Sequence, residues 1–316
     1  MEKTLTSNSH PRLPVLRSGD PNTAFQRMSA AEILRKYGRP RSLLSSSFKS
    51  EKCLSVEVLA RVLFLTPGVF CSHATAGCLA ACLGHSSGRM VMPTHAIARD
   101  RRTALYLEDP DLFLKLLDVE LTLLEEDAAR LGFRAAARLN GSSDLPWEAL
   151  HRDIFRRFPR IRFFDYTKVP QRMDGFLDRS DWPGNYHLTF SAQPNNHEQC
   201  RRILERAGTV AVVFWPEIPR SFWGFPVLNG DKHDARFLDP LGSIVGLTAK
   251  GLARTDRSGF TIRPCPRCGP SAPELELQSP AADRQAVMVH RCRCCGFSLR
   301  QSSPSSSSAD VHSLAA

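Results

Sequence analysis

The chain has 316 residues, 42% of them hydrophobic and 23% charged, with ten cysteines and a net charge of +10. That length and balance describe a globular protein with a sizeable core and exclude a collagen-like or wholly low-complexity chain. The longest apolar candidate for a membrane span, VLARVLFLTPGVF, is short and carries Arg61 and Pro67, and the first residues hold no apolar signal core, so a cytoplasmic protein with no membrane segment is expected.

The basic excess sits at the ends. Residues 1–50 carry nine Lys and Arg against three Asp and Glu, residues 261–300 carry six against three, and residues 51–260 are near balance at 27 against 25. Basic ends are compatible with a nucleic-acid partner, and equally with solvated arms, because no aromatic residues interleave with the N-terminal charges as stacking platforms.

In chain order, residues 1–50 are rich in Ser, Pro and Arg and are expected to form a largely disordered basic arm. An α/β domain is expected over 51–260. It opens with a strand in VLARVLFL, followed by FCSHATAGCLAACLGHSSGR, in which Cys71, Cys78 and Cys82 are spaced C-x6-C-x3-C. In a cytoplasmic setting such thiols are metal ligands or buried side chains rather than disulfides. Cys78 and Cys82 share one face if helical. Three thiolates suit an iron–sulfur cluster with one open position, or a zinc site completed by His73, His85 or His95. Small apolar cysteines packed on the sheet are the third option. The loop GHSSGR is rich in donors, and Arg89 could fix a carboxylate or phosphate there.

Next, Asp109, Pro110 and Gly132 mark the cap, first turn and stop of a long helix. A strand in RAAARLNG, a helix in WEALHRDIFRRFP, strands in IRFFDYTK and NYHLTFS, a helix in NNHEQCRRILERAG with Asn caps and a glycine stop, and strands in TVAVVFWPE and SIVGLTAKG follow. Strands alternating with helices point to a parallel sheet, either a partial or complete βα barrel-like domain or an open doubly wound one. Polar residues recur where strands end, the place where parallel α/β folds build sites. These are Asn140, Ser142 and Asp144, then Asp165 and Lys168, then Ser191, and finally Asp231 and Asp234. Asp144, Asp165, Lys168, Asp231 and Asp234 are the catalytic candidates, although Asp231 and Asp234 also suit an ordinary charged turn.

After residue 260 come Cys265 and Cys268, then Cys292 and Cys295, two C-x2-C knuckles separated by 23 residues, each followed by glycine. Four thiolates in this spacing are the signature of a structural Zn2+ ribbon over 261–300, with PELELQ and QAVMVHR as its strands. Arg263, Arg267, Arg291 and Arg293 around the knuckles would suit a nucleic-acid surface. Residues 301–316, QSSPSSSSADVHSLAA, read as a disordered tail.

Several segments taken together, ATAGCLAACLGHSSGR, ARLNGSSDLPWE, FFDYTK, NYHLTFS, VAVVFW, VLNGDKHDARFLDP and IVGLTAKG, resemble the gene product 88 family of phages and bacteria over about residues 45–260. The resemblance implies a domain without supplying a reaction. A more distant likeness is to radical S-adenosylmethionine enzymes, which place three cluster cysteines after the first strand of a βα barrel. The spacing here departs from their C-x3-C-x2-C, and LNGSSD and LTFS are the nearest counterparts of their glycine-rich cofactor strand. Asn140, Ser142 and Ser191 at the strand ends, with Arg89 of the GHSSGR loop, are the cofactor-binding candidates. Two functions are therefore expected: an iron–sulfur enzyme, or a non-catalytic zinc-stabilised nucleic-acid-binding protein.

Overall fold

The computed structural model describes residue 20 and residues 22–264, together with the backbone of three later strands. In chain order the strands are β1 (Leu44–Ser45), β2 (Val58–Leu63), β3 (Arg134–Arg138), β4 (Arg162–Thr167), β5 (Tyr186–Ser191), β6 (Val210–Phe214), β7 (Ser221–Phe222), β8 (Phe225–Asn229), β9 (Ile244–Thr248), β10 (Thr261–Ile262), β11 (Leu275–Gln278), β12 (Met288–Cys292) and β13 (Ser298–Gln301). The helices are α1 (Ala30–Tyr37), α2 (Phe48–Glu51), α3 (Ala76–Ala80), α4 (Leu83–Ser86), α5 (Pro93–Glu108), α6 (Pro110–Leu131), α7 (Trp147–Leu150), α8 (Asp153–Arg157), α9 (Pro170–Asp178) and α10 (His197–Glu205).

One mixed sheet runs in the order β1-β2-β3-β4-β5-β6-β9-β8-β7, and β10 pairs with the far end of β6. From β2 to β6 each strand lies beside the next in sequence and all are parallel; β9 and β8 continue that direction. The two-residue strands β1 and β7 pair antiparallel at the two ends of the order. β11, β12 and β13 form a separate antiparallel sheet, with Leu275 opposite Cys292 and Arg291 opposite Ser298.

The two faces of the main sheet differ in chemistry. Leu59 and Leu63 of β2, Ala135 and Ala137 of β3, Phe163 of β4, Leu188 and Phe190 of β5 and Val210 and Val212 of β6 join one large apolar core. Helices close it, through Phe113, Leu117, Leu121 and Leu124 of α6, Phe155 of α8, Met173 of α9 and Ile203 of α10. On the alternate positions Val58, Ala60, Ala136 and Phe164 form a smaller cluster with Cys53, Ala235 and Phe237. Two residues further along β3 and β4 that second face turns polar, at Arg138 and Tyr166. The connection between β8 and β9 runs across this face, its short turn Arg236–Leu238 packed against β4 and β5.

The expected boundaries of α6 hold, and those of the later helices shift. The Asp109 carboxylate accepts from the Leu112 amide at 3.1 Å, Pro110 occupies the first turn of α6, and Gly132 ends it at φ 71°. Asp109→Ala is expected to lower stability by about 1 kcal/mol, read as a shift in the urea midpoint at unchanged slope. WEALHRDIFRRFP divides into α7 and α8 because His151 leaves the helix, its ring nitrogen 2.8 Å from the Tyr106 hydroxyl. Asn196 precedes α10 but caps no helix amide: its side chain joins Gln193 to Ser191 instead. Ala207, not Gly208, takes the left-handed conformation, and a Cβ on Gly208 would stand 2.6 Å from Ile203 Cγ2.

Helices α5, α9 and α1 were not in the sequence reading. α1 falls inside the stretch expected to be a disordered arm, and it is closed by a capping box between Ser29 and Glu32. Nearby, Asp20 pairs with buried Arg99 of α5 at 2.7 Å, and Asp100 accepts from Thr23, Ala24 and Thr66. Among the described residues no helix is long and apolar enough to cross a membrane.

Candidate functional site

The site forms at the carboxyl ends of β2, β3 and β4. After β2 the chain turns through Gly68 (φ 88°), and the Cys71 amide donates back to the Gly68 carbonyl. The Thr75 hydroxyl accepts from the Cys78 amide and starts the single turn of α3, and Cys82 immediately precedes α4. Gly84 lets that segment lie against the loop after β3: a Cβ there would meet Pro67 at 2.8 Å and Ser142 at 2.9 Å. Cys71, Cys78 and Cys82 thereby line one wall of a cavity of about 130 Å3. Its other wall is built from Arg138, residues 140–144, Tyr166 and Lys168.

That second wall is held from behind. The carboxylate of Asp165, fully buried, accepts from the Asn140 amide (2.6 Å), the Asn140 side chain (3.1 Å) and the Tyr186 hydroxyl (2.8 Å). The Asn140 side-chain oxygen in turn accepts from the Ser143 hydroxyl and the Leu145 amide. Asp144 accepts from Arg172 Nη1 at 2.5 Å and from the Lys168 amide at 2.8 Å. Arg172 also grips Glu148 of α7 by two bonds and donates to the Tyr186 hydroxyl. Gly141 is required by contact, since a Cβ would lie 2.5 Å from Val62 Cγ1 and 2.7 Å from the Leu63 carbonyl.

The electrostatics follow from burial. Burial, reinforced by Asp144, pushes the Cys71 thiol up to about 12, against the Gly68 amide and Lys168, which pull it down. Burial and neighbouring Cys78 push Cys82 up to about 11. Burial works to lower the pKa of Lys168, but the negative potential of Cys78, Asp144, Cys71 and Cys82 outweighs it and holds the ammonium above its ordinary value. Burial would raise Asp234; Arg138 at 3.0 Å and Lys49 at 3.7 Å overcome this and keep its carboxyl low. Arg138 also lies over the Tyr166 ring, 4.5 Å from its centroid.

The expected site residues divide accordingly. Asn140, Ser142, Asp144 and Lys168 line the cavity with the three cysteines, while Asp165 lies beneath it. Asp231 belongs to a different cluster, bonded to the Thr248 amide and Lys250, and Asp234 is locked in its ion pairs. Ser191 is buried away from the cavity lining, its carbonyl accepting from Asn196. Arg89 is exposed on a short turn, Gly88–Val91, because GHSSGR folds into α4 and that turn rather than an open anion-binding loop. His73 bonds Ser72, His85 bonds the Leu79 carbonyl, and neither they nor His95 line the cavity.

Cys265, Cys268 and Cys295 lie outside the described residues, as do the 301–316 tail and the first nineteen residues; for Cys292 only the backbone, at the end of β12, is described. The described cysteines form no disulfide. No three His, Cys, Asp or Glu side chains among the described residues are grouped as a ready metal-binding set. Residues that the sequence reading missed are Arg138, Tyr166, Arg172 and Glu148. Arg138 had a readable signal, a cation closing the strand RAAAR; Arg172 had none, being one of many arginines.

No curated protein and no solved structure matches the chain. The family model described as Gene product 88 matches residues 35–264, which includes every strand of the main sheet and the whole cavity. With that match over most of its length, the chain belongs to the gene product 88 family.

Proposed function

We propose that this domain holds an iron–sulfur cluster through the thiolates of Cys71, Cys78 and Cys82 and acts as an enzyme at the carboxyl ends of its parallel strands. The observation that carries the reading is the convergence of three thiols on one cavity with a cationic, hydrogen-bonding wall. The donor set fits: thiolate sulfur suits iron–sulfur clusters and zinc, and no histidine among the described residues lines the cavity to complete a closed tetrahedral zinc site. The cavity also exceeds what one ion in a closed ligand shell needs. The thiols are not prearranged, so loading would require α3 and α4, each little more than one turn, to adjust around the metal.

An iron with an open position supplies Lewis-acid or electron-transfer chemistry when bound. The chain's own contribution is a closed wall in which Lys168 and Arg138 offer positive charge, Asp144 is oriented by Arg172, and Tyr166 presents its ring. Of the catalytic candidates only Asp144 and Lys168 reach the cavity. A barrel-like curvature is supported by the uninterrupted order β2 to β6, because right-handed crossovers then place successive helices on one face. The Asn140 side chain is engaged by Asp165 and the Leu145 carbonyl, the Ser142 hydroxyl donates to the Leu65 carbonyl after β2, and Ser191 and Arg89 lie elsewhere. These residues do not make an S-adenosylmethionine site, and we propose no step through that cofactor.

A second reading, a zinc-stabilised nucleic-acid-binding protein, is favoured by the pairing of β11 with β12 between the two C-x2-C knuckles, where a ribbon needs its strands. Cys265, Cys268, Cys292 and Cys295 would hold that zinc.

Anaerobic purification followed by absorption spectroscopy and iron, sulfide and zinc analysis separates the two. The expected result is iron and sulfide with broad visible absorbance, lost in the Cys71→Ala, Cys78→Ala, Cys82→Ala triple variant while one zinc remains. Zinc at both cysteine groups, with no iron after anaerobic reconstitution, would overturn the cluster reading.

A further inference from the structure

The cavity wall opposite the thiols has a property that the cluster reading does not use. Buried backbone amides nearly always find an acceptor in the protein, in water or in a ligand. Ser142, Ser143 and Asp144 are all buried, and all line the cavity. None of their three consecutive amides has an acceptor among the described residues, although the amides on either side do. Gly141 donates to the Leu63 carbonyl and Leu145 to the Asn140 side chain.

Two cations stand at the same cavity. Lys168 Nζ makes no hydrogen bond or ion pair within 4.0 Å among the described residues, and Arg138 lines the cavity while its guanidinium pairs with Asp234 at 3.0 Å. The acidic groups around them are already engaged: Asp144 with Arg172 and the Lys168 amide, Asp234 with Arg138 and Lys49. The wall therefore carries donors, the three amides and Lys168 Nζ, without a matching acceptor among the described residues.

We propose that Lys168, Arg138 and the amides of residues 142–144 form a binding site for the phosphoryl group of a small ligand. Successive backbone amides in a turn with an adjacent ammonium make an anion-binding concavity. The number of donors favours a tetrahedral oxyanion over a carboxylate, which has two oxygens to satisfy. At about 130 Å3 the cavity is roughly four times the ~30 Å3 share of one water in the liquid, enough for such a group. The backbone provides the shape, because the Asp165–Asn140 bonds and the close seat of Gly141 on β2 hold the loop before any ligand arrives. The site shares its cavity with the thiols but does not depend on a metal being bound there.

Isothermal titration calorimetry of the full chain with inorganic phosphate, at constant ionic strength, tests the proposal. Saturable binding is expected, weakened by about tenfold or more in Lys168→Gln and largely restored in Lys168→Arg. Acetate should bind far more weakly. In 1H–15N spectra of the wild type, the amides of Ser142, Ser143 and Asp144 should shift along the same isotherm as the heat. Phosphate binding that persists in the triple cysteine variant would support the site even if no metal is found. No saturable binding, equal binding by Lys168→Gln, unmoved amides at 142–144, or acetate binding as tightly as phosphate would overturn it.

Discussion

Arg172→Met is expected to destabilise the protein by about 3–5 kcal/mol, enough for a fall in melting temperature on the order of 10 °C. Arg172 is almost wholly buried, and its guanidinium is shared by Asp144, Glu148 and the Tyr186 hydroxyl. Methionine preserves much of the packing volume and removes the only cation that touches both carboxylates in the ion-pair geometry of the described residues. Two buried carboxylates are then left without an ion-pair partner within 4.0 Å among the described residues, Asp144 keeping only the Lys168 amide, which costs more than the pair's net contribution to the native fold. Since Arg172 joins α9 to the loop after β3 and to α7, the 140–144 wall should loosen at the same time. Thermal melts check the magnitude, and Arg172→Lys should recover only part of it because a single ammonium cannot replace the two-pronged grip on Glu148. A loss under 1 kcal/mol would mean that solvent reaches these carboxylates.

The second large effect is on pH dependence. Burial pushes the Asp165 carboxyl up to about 7 from 3.8, against the Asn140 amide, Arg138, the Tyr186 hydroxyl and Arg172, which all lower it. The folded state therefore binds this proton more tightly than the unfolded chain. The resulting stability is fully present below about pH 4 and is lost as pH rises through about 7. The shift corresponds to about 3–5 kcal/mol over that window, with a slope approaching 1.4 kcal/mol per pH unit in its middle. Burial raises Asp239 to about 6 and adds a smaller trend of the same sign. Asp165→Asn abolishes the larger trend, so urea titrations between about pH 4 and 8 should show a flatter profile than wild type. An unchanged slope would show that the carboxylate is held ionised throughout by its donors.

Much of the framework could be read from local residues. The strands announce themselves as short apolar runs, and α6 by Asp109, Pro110 and Gly132, because caps and turns act within a few positions. The three cysteines were legible as a group because α3 and α4 keep them close along the chain. Helices α5 and α9 were missed. Their buried faces include arginines, Arg99 and Arg172, so an apolar stripe at helical spacing is weak in both.

The carboxylates show where reading a sequence stops. Asp144, Asp165, Asp231 and Asp234 all follow or end strands and look alike as candidates, yet one lines the cavity, one supports it from beneath and two are bound elsewhere. Their roles depend on Arg172, Asn140, Lys250, Arg138 and Lys49, partners 15 or more positions away in every case. By itself the sequence determined the alternation of strands and helices, the order of the elements and the local grouping of the thiols. Those follow from periodicity and from interactions between near neighbours. Only the tertiary structure decided which charges are paired, which amides are left with no acceptor, and that Arg138 and Lys168 face the cysteines. Burial and charge pairing are set by residues that meet through the sheet, and no local pattern encodes them.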